Sequence, residues 1–289
     1  MRARHLVPCA FALALAAGPP AGSAAAASDG VTQFSFSRAD RSDALAYWTP
    51  QRIAKADAAA DEGPTPRGQH AWKGPKMKAI GRLFFVNDKG EDTWCTATSV
   101  PAHNHSVALT AAHCAQVPAS PGNHHISMIF VPGYHQSARP YGTYAVRAVA
   151  MPRSWEQDAK TDVAALVLDP HQGRRLADAV GTQRVAFPGK PAGRVTVFGY
   201  PDSRPQRGEG LLACSAVAKA GPERTQSAAC GVAGGASGGP WLAHFDARTG
   251  KGTVAGLTSF GDAAKNSSST SAELLGPLAK RVYERAQGL

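Results

Sequence analysis

Three residues of this chain have types and neighbours suited to nucleophilic chemistry. Ser237 stands in Gly234-Gly235-Ala236-Ser237-Gly238-Gly239-Pro240, a run too rich in glycine for a helix or a regular strand. Glycine at this density costs backbone entropy on folding. What it allows is a tight turn that lifts a hydroxyl while aiming backbone N–H groups at one point. A serine hydroxyl is a poor nucleophile at neutral pH and needs a base within hydrogen-bond reach. His113, near the end of Leu109-Thr110-Ala111-Ala112-His113-Cys114, is the candidate base. Asp162, before the apolar run Val163–Leu168, is the candidate to hold the imidazole in one tautomer and balance its charge. Taken singly, His113 reads as a packed strand-end histidine and Asp162 as a turn cap, whereas the glycine run even alone reads as a functional turn rather than a surface loop. Taken together they point to acyl transfer. The histidine pairs His103/His105 and His124/His125 lack the i, i+4 helical spacing of zinc peptidases, so they are read as loop histidines and no metal is expected.

The order is His, Asp, Ser. In that order, Thr110-Ala111-Ala112-His113-Cys114, Asp162-Val163-Ala164-Ala165-Leu166 and Gly235-Ala236-Ser237-Gly238-Gly239-Pro240 resemble the signature motifs of the trypsin/chymotrypsin-like serine peptidases, and in particular their secreted bacterial, V8-like (glutamyl-endopeptidase-like) branch. The resemblance covers roughly residues 76–275. It implies an all-β fold of two antiparallel six-stranded β-barrels with a C-terminal α-helix. It also implies a serine endopeptidase working through an acyl-enzyme on Ser237, with a protein or peptide substrate and no cofactor. The N–H groups of Gly235 and Ser237 would form the oxyanion hole, glycine at 235 leaving its N–H unscreened. Thr258-Ser259-Phe260-Gly261 would contact substrate. Ala236 departs from the usual aspartate before the serine, so activation by an inserted N-terminal amine is not expected. No acidic residue lies in Gly231–Gly234, and Thr258 stands where glutamyl-specific relatives carry histidine, so a small or apolar residue is expected before the scissile bond. A non-catalytic protein- or cell-wall-binding member of the same fold is the alternative, since fold does not dictate function.

These residues need a scaffold, and the patterning supplies one. From Ile80 onward, short apolar runs alternate with Gly/Pro turns, as in a barrel or sandwich. Strands are predicted at 81–86, 93–100, 107–110, 125–131, 144–149 and 163–168 for a first barrel of about residues 76–175. Others at 185–187, 194–200, 211–217, 241–245 and 252–259 make a second of about 180–272. The spacing of Leu274, Leu275, Leu278 and Val282 suits an amphipathic helix over 273–287. Of five cysteines, Cys9 falls in a leader. Cys95, Cys114, Cys214 and Cys230 permit three pairings, and sequential pairing would close two loops of similar size, each worth about 3 kcal/mol. The family resemblance likewise implies a bridge beside the histidine.

Residues 1–27 combine a basic start, the apolar run Leu6–Ala17 and a small-residue stretch, the pattern of a secretory signal peptide. Residues 28–75 read as a pro-segment and linker, with a helical piece over Asp43–Ile53. The protein is therefore expected to be secreted and extracellular, a monomer without a membrane anchor. The net charge of +10 comes from scattered lysines and arginines with no basic run or aromatic platform, so no nucleic-acid partner is expected.

Overall fold

The computed structural model describes residues 29–58, 67–188, 190–203, 207–231, 234–261 and 269–289. The leader 1–27 and residues 28 and 59–66 of the pro-segment and linker lie outside them. Strand β1 (Val31–Ser35), helices α1 (Arg38–Tyr47) and α2 (Pro50–Ala58) and the short β2 (His70–Ala71) come first. Six strands follow: β3 (Ile80–Val86), β4 (Asp92–Ser99), β5 (Val107–Thr110), β6 (Ile126–Pro132), β7 (Tyr144–Pro152) and β8 (Ala164–Leu168). They run β7-β6-β3-β4-β5-β8, and β8 pairs again with β7, closing an antiparallel barrel. Helices α3 (Arg153–Asp158) and α4 (Leu176–Val180) flank β8 in sequence.

The second unit holds β9 (Arg184–Val185), β10 (Arg194–Gly199), β11 (Leu212–Val217), β12 (Lys219–Ala220), β13 (Thr225–Ala228), β14 (Pro240–Asp246), β15 (Lys251–Gly261) and β16 (Thr270–Leu274), followed by α5 (Pro277–Gln287). Its order is β12-β13-β16-β15-β14-β10-β11-β2, with β9 parallel to β15. The predicted pair of six-stranded barrels is thus one closed barrel and one half-barrel among the described residues. The half-barrel is extended at its edge by β2, where Ala71 pairs with Leu212.

The C-terminal helix begins at Pro277, not at Glu273 as its leucine spacing suggested. Thr270–Leu274 is extended, because its backbone completes ladders with both β13 and β15. Gly276-Pro277 then starts the helix, since proline at its first turn sacrifices no internal hydrogen bond. Both disulfides are sequential, Cys95–Cys114 and Cys214–Cys230, and each ties a site-bearing loop to a strand.

The N-terminal stretch packs against the first barrel. β3 is buried along its whole length on both faces. Leu83 and Phe85 fill the barrel interior, while Ile80, Phe84 and Val86 face outward and need a cover. Trp48 and Ile53, each 1% exposed, supply it. The Trp48 ring lies 5.2 Å from Phe84, and its Nε1 donates to the Ser127 carbonyl. The single helical piece expected over Asp43–Ile53 is split at Trp48-Thr49, where Pro50 opens a new helix. β1 adds to the edge of β7. Trp48→Ala is therefore expected to cost about 3–5 kcal/mol of unfolding free energy in urea titrations. A loss below about 1 kcal/mol would show that residues 29–58 lie outside the cooperative unit.

Candidate active site

β5 delivers His113. Thr110 pairs with Ala164 of β8, so the turn after β5 and the turn before β8 emerge at the same end of the barrel. The chain passes into a single 3₁₀ turn, Ala112–Cys114, held by the Cys95 bridge. Before β8, Thr161 takes a left-handed φ of 61°, and Val163 N–H closes on the Thr161 carbonyl at 2.9 Å, which raises Asp162. His113 and Asp162, 49 residues apart, then meet twice. The backbone N–H of His113 donates to Asp162 Oδ1 at 2.9 Å, and its Nδ1 lies 2.7 Å from Oδ2.

Asp162 is 3% exposed. Burial pushes its carboxyl up, but the His113 charge and the hydrogen bonds from His113 and Ser259 outweigh that and hold it below the usual carboxylate range. The Ser259 hydroxyl donates to Oδ2 at 2.5 Å. The side of His113 away from the ring is also secured, because His125 Nε2 donates to its carbonyl at 3.1 Å.

Ser237 lies between two left-handed glycines, Gly235 (φ 79°) and Gly238 (φ 74°). The loop's carbonyls are turned inward and satisfied. Gly234 accepts from Asp202 N–H, Gly235 from the Thr96 hydroxyl, Ala236 from Gly239 N–H and Ser237 from Thr96 N–H, all within 2.8–3.0 Å. Among the described residues, the N–H groups of Gly235 and Ser237 donate no hydrogen bond. A Cβ at Gly238 would lie 2.1 Å from Thr110 Oγ1 and 2.9 Å from Ala111 N, so this loop abuts the chain just before His113. Two N–H donors with no internal partner, in a loop held rigid by its carbonyls, can accept an anionic oxygen.

Glycine at 235 has a further reason beside the one expected. A Cβ there would meet Trp94 Nε1 at 2.3 Å and the Tyr200 carbonyl at 2.5 Å. Trp94 Nε1 donates to that same carbonyl, so the position is walled in from behind and steric exclusion alone demands glycine. Ala236 is 1% exposed and faces Gly199, where a Cβ would come within 2.9 Å of its own.

The expected substrate strand is partly committed elsewhere. Thr258 is 1% exposed; its N–H and carbonyl bond Gly239 and Gly238, and its hydroxyl accepts from Trp241 Nε1. It braces the serine loop from behind and does not present polar groups to a ligand. The Ser259 side chain is spent on Asp162. The Phe260 and Gly261 backbone continues β15. Residues 232 and 233, expected near the pocket base, lie outside the described residues; Gly231 N–H donates to the Arg67 carbonyl.

Three of the four histidines in the His103/His105 and His124/His125 pairs have separate partners. His105 pairs with Asp178 at 2.6 Å, His124 stacks on Phe34 and His125 on Phe85. The sulfurs of Cys95 and Cys114, which lie close to His113, are bonded to each other.

Sequence reading missed Ser259 as a partner of Asp162, His125 as a brace, and Glu273, whose Oε2 accepts Asp162 N–H at 3.2 Å. A lone carboxylate in the alternating stretch Thr270–Leu274 was the available signal for the last.

No protein-family model matches the sequence, and no curated protein matches it. Solved structures do. Protease Anisep from Arthrobacter nicotinovorans is 32% identical with a TM-score of 0.69, over 76% of this chain and all of that one. A thermostable serine protease, AL20, from an extremophilic microorganism is 26% identical with a TM-score of 0.68, over 73% of this chain and 98% of its own. A Glu endopeptidase shares the fold at 14% identity and a TM-score of 0.60, covering 79% of this chain and 98% of that one.

Proposed function

Since the chain belongs to the trypsin/chymotrypsin-like serine peptidases and is a serine endopeptidase, we propose that Ser237 is its nucleophile, His113 the general base and Asp162 the partner of that base. The observation that carries the assignment is the His113–Asp162 pair, made between two turns at one barrel end and abutted by the Ser237 loop. With Nδ1 engaged by Asp162, Nε2 takes the Ser237 proton as Oγ attacks the peptide carbonyl. The oxygen gains its charge against the N–H groups of Gly235 and Ser237. The imidazolium then gives its proton to the leaving amine, the C–N bond breaks and an acyl-ester remains on Ser237. Water enters, loses a proton to His113 and displaces the serine oxygen, releasing the acid and restoring the enzyme.

The packed Ala236 leaves no carboxylate to receive an N-terminal ammonium, so the site works without that insertion. A small or apolar residue before the scissile bond is proposed from the segment Gly231–Gly234, which carries no acidic side chain of its own, with Phe260 and Gly261 offering the backbone contacts that Thr258 cannot. The two disulfides suit an exported protein with residues 1–27 as its leader. No helix among the described residues is long and apolar enough to cross a membrane. Residues 28–75 serve as a pro-segment of which residues 29–58 stay docked after any cut between Ala58 and Arg67, because Trp48 and β1 are built into the first barrel.

Treatment with a serine-directed phosphonyl fluoride, followed by peptide mass spectrometry, is expected to find one adduct, on Ser237. A folded protein that carries no adduct, or carries it on another residue, would overturn the assignment.

A further inference from the structure

Behind Asp162 stands a carboxyl that the acyl-transfer scheme does not use. Glu273 is 5% exposed, and its Oε2 accepts the backbone N–H of Asp162 at 3.2 Å. The bond crosses between the two units, since Asp162 leads into β8 of the closed barrel and Glu273 belongs to β16 of the half-barrel. Ser259 of β15 crosses the same boundary to Asp162 Oδ2. Asp162 is therefore held by His113 from its own barrel and by two side chains from the other unit. Within the half-barrel, Glu273 sits opposite Leu257 and Thr225, neighbours that an apolar or β-branched residue would suit equally well. A buried carboxyl at this position is disfavoured by its own desolvation, and among the described residues the hydrogen bond its side chain makes reaches Asp162.

On the reading of His113, Asp162 and Ser237 as the catalytic set, we propose that Glu273 is a positioning residue for the Asp162–His113 pair, clamping Asp162 from the second unit and adding, when ionised, a second negative charge behind it. The charged groups facing it are Asp162, from the turn before β8, and Arg224, from the turn before β13. Burial pushes the Glu273 carboxyl up to about 7; the Asp162 N–H opposes this, the Asp162 charge adds to it and Arg224 opposes it. The carboxyl therefore changes charge in the range where such an enzyme works. Above that point the imidazolium formed during acyl transfer is faced by two carboxylates, and below it by one. More negative charge favours the charged ring, so Glu273 draws the acid limb of activity to higher pH and raises the plateau beyond it.

The test is the rate of phosphonyl fluoride labelling at Ser237 from pH 5 to 9, for the full chain and for Glu273→Gln. The amide keeps the shape and an oxygen for the Asp162 N–H but carries no charge. The acid midpoint is expected to fall by roughly half a pH unit or more, and the plateau rate two- to tenfold. If the glutamine variant does not fold, Glu273→Met, of similar volume, is expected to show the same displacement. An unmoved midpoint overturns the inference, whatever happens to the plateau or to thermal stability. Absence of label at Ser237 in the unaltered protein would instead overturn the catalytic assignment beneath it.

Discussion

Ser237→Ala is expected to lower kcat on a peptide substrate by about five to six orders of magnitude, with KM and the unfolding midpoint close to those of the parent. The substitution removes one oxygen. The structural work at this position is done by the backbone, through the Ser237 carbonyl that accepts Thr96 N–H and the flanking left-handed glycines, and all of it survives. The N–H groups of Gly235 and Ser237 also survive, so the variant should keep a residual rate about 10³–10⁴ above that of water alone, from orientation and oxyanion binding. Steady-state kinetics with a quenched peptide, together with the loss of phosphonyl labelling, would check this. A loss smaller than about a hundredfold would mean that the nucleophile is another group.

Asp162→Asn is expected to cost about 10⁴ in kcat, although asparagine has nearly the same shape. Both carboxylate oxygens of Asp162 receive donors, Oδ1 from the His113 N–H and Oδ2 from the His113 ring and the Ser259 hydroxyl. An amide has one oxygen and one NH₂, so in either orientation a donor meets a donor. If the NH₂ faces the ring, the imidazole must carry its proton on Nε2, where it can no longer accept the serine proton. If the NH₂ faces the His113 backbone, the turn that presents the ring is strained. The negative charge that balances the imidazolium is lost in both cases. Activity measured from pH 6 to 10, alongside a crystal structure of the variant, would separate these effects. A loss of less than tenfold would remove Asp162 from the mechanism.

Much of this was legible in the chain because the determinants are local. Thr110–Cys114 and Gly234–Pro240 carry their geometry in their own residue types: a small-residue run that enters a tight turn, and glycines that alone tolerate φ near +75°. Strand runs such as Ile80–Val86 announce themselves by apolar content and bounding turns. The reading of a helix over 273–287 went wrong at its start because leucines at 274, 275 and 278 satisfy helical spacing, while the backbone at 270–274 had two sheet partners waiting. Tertiary hydrogen bonding overrode the periodicity. The extra demands on Gly235 were equally invisible, since Trp94 lies in β4 and Tyr200 just beyond β10, both distant in the chain.

The sequence by itself determined which side chains are candidates for the chemistry, their order along the chain and the all-β style of the scaffold, because residue type and backbone permissiveness are properties of short segments. Tertiary structure alone decided what surrounds them. Ser259 and Glu273 close on Asp162 from the other unit, His125 braces the His113 carbonyl, and Trp48 covers the outer face of β3. Those contacts join residues far apart in the chain, and they exist only because closing one sheet into a barrel and packing a second against it brings distant strands to a common end. The electrostatics of the site follow from that packing, since a carboxyl's charge state depends on how much water and which neighbours the fold leaves around it.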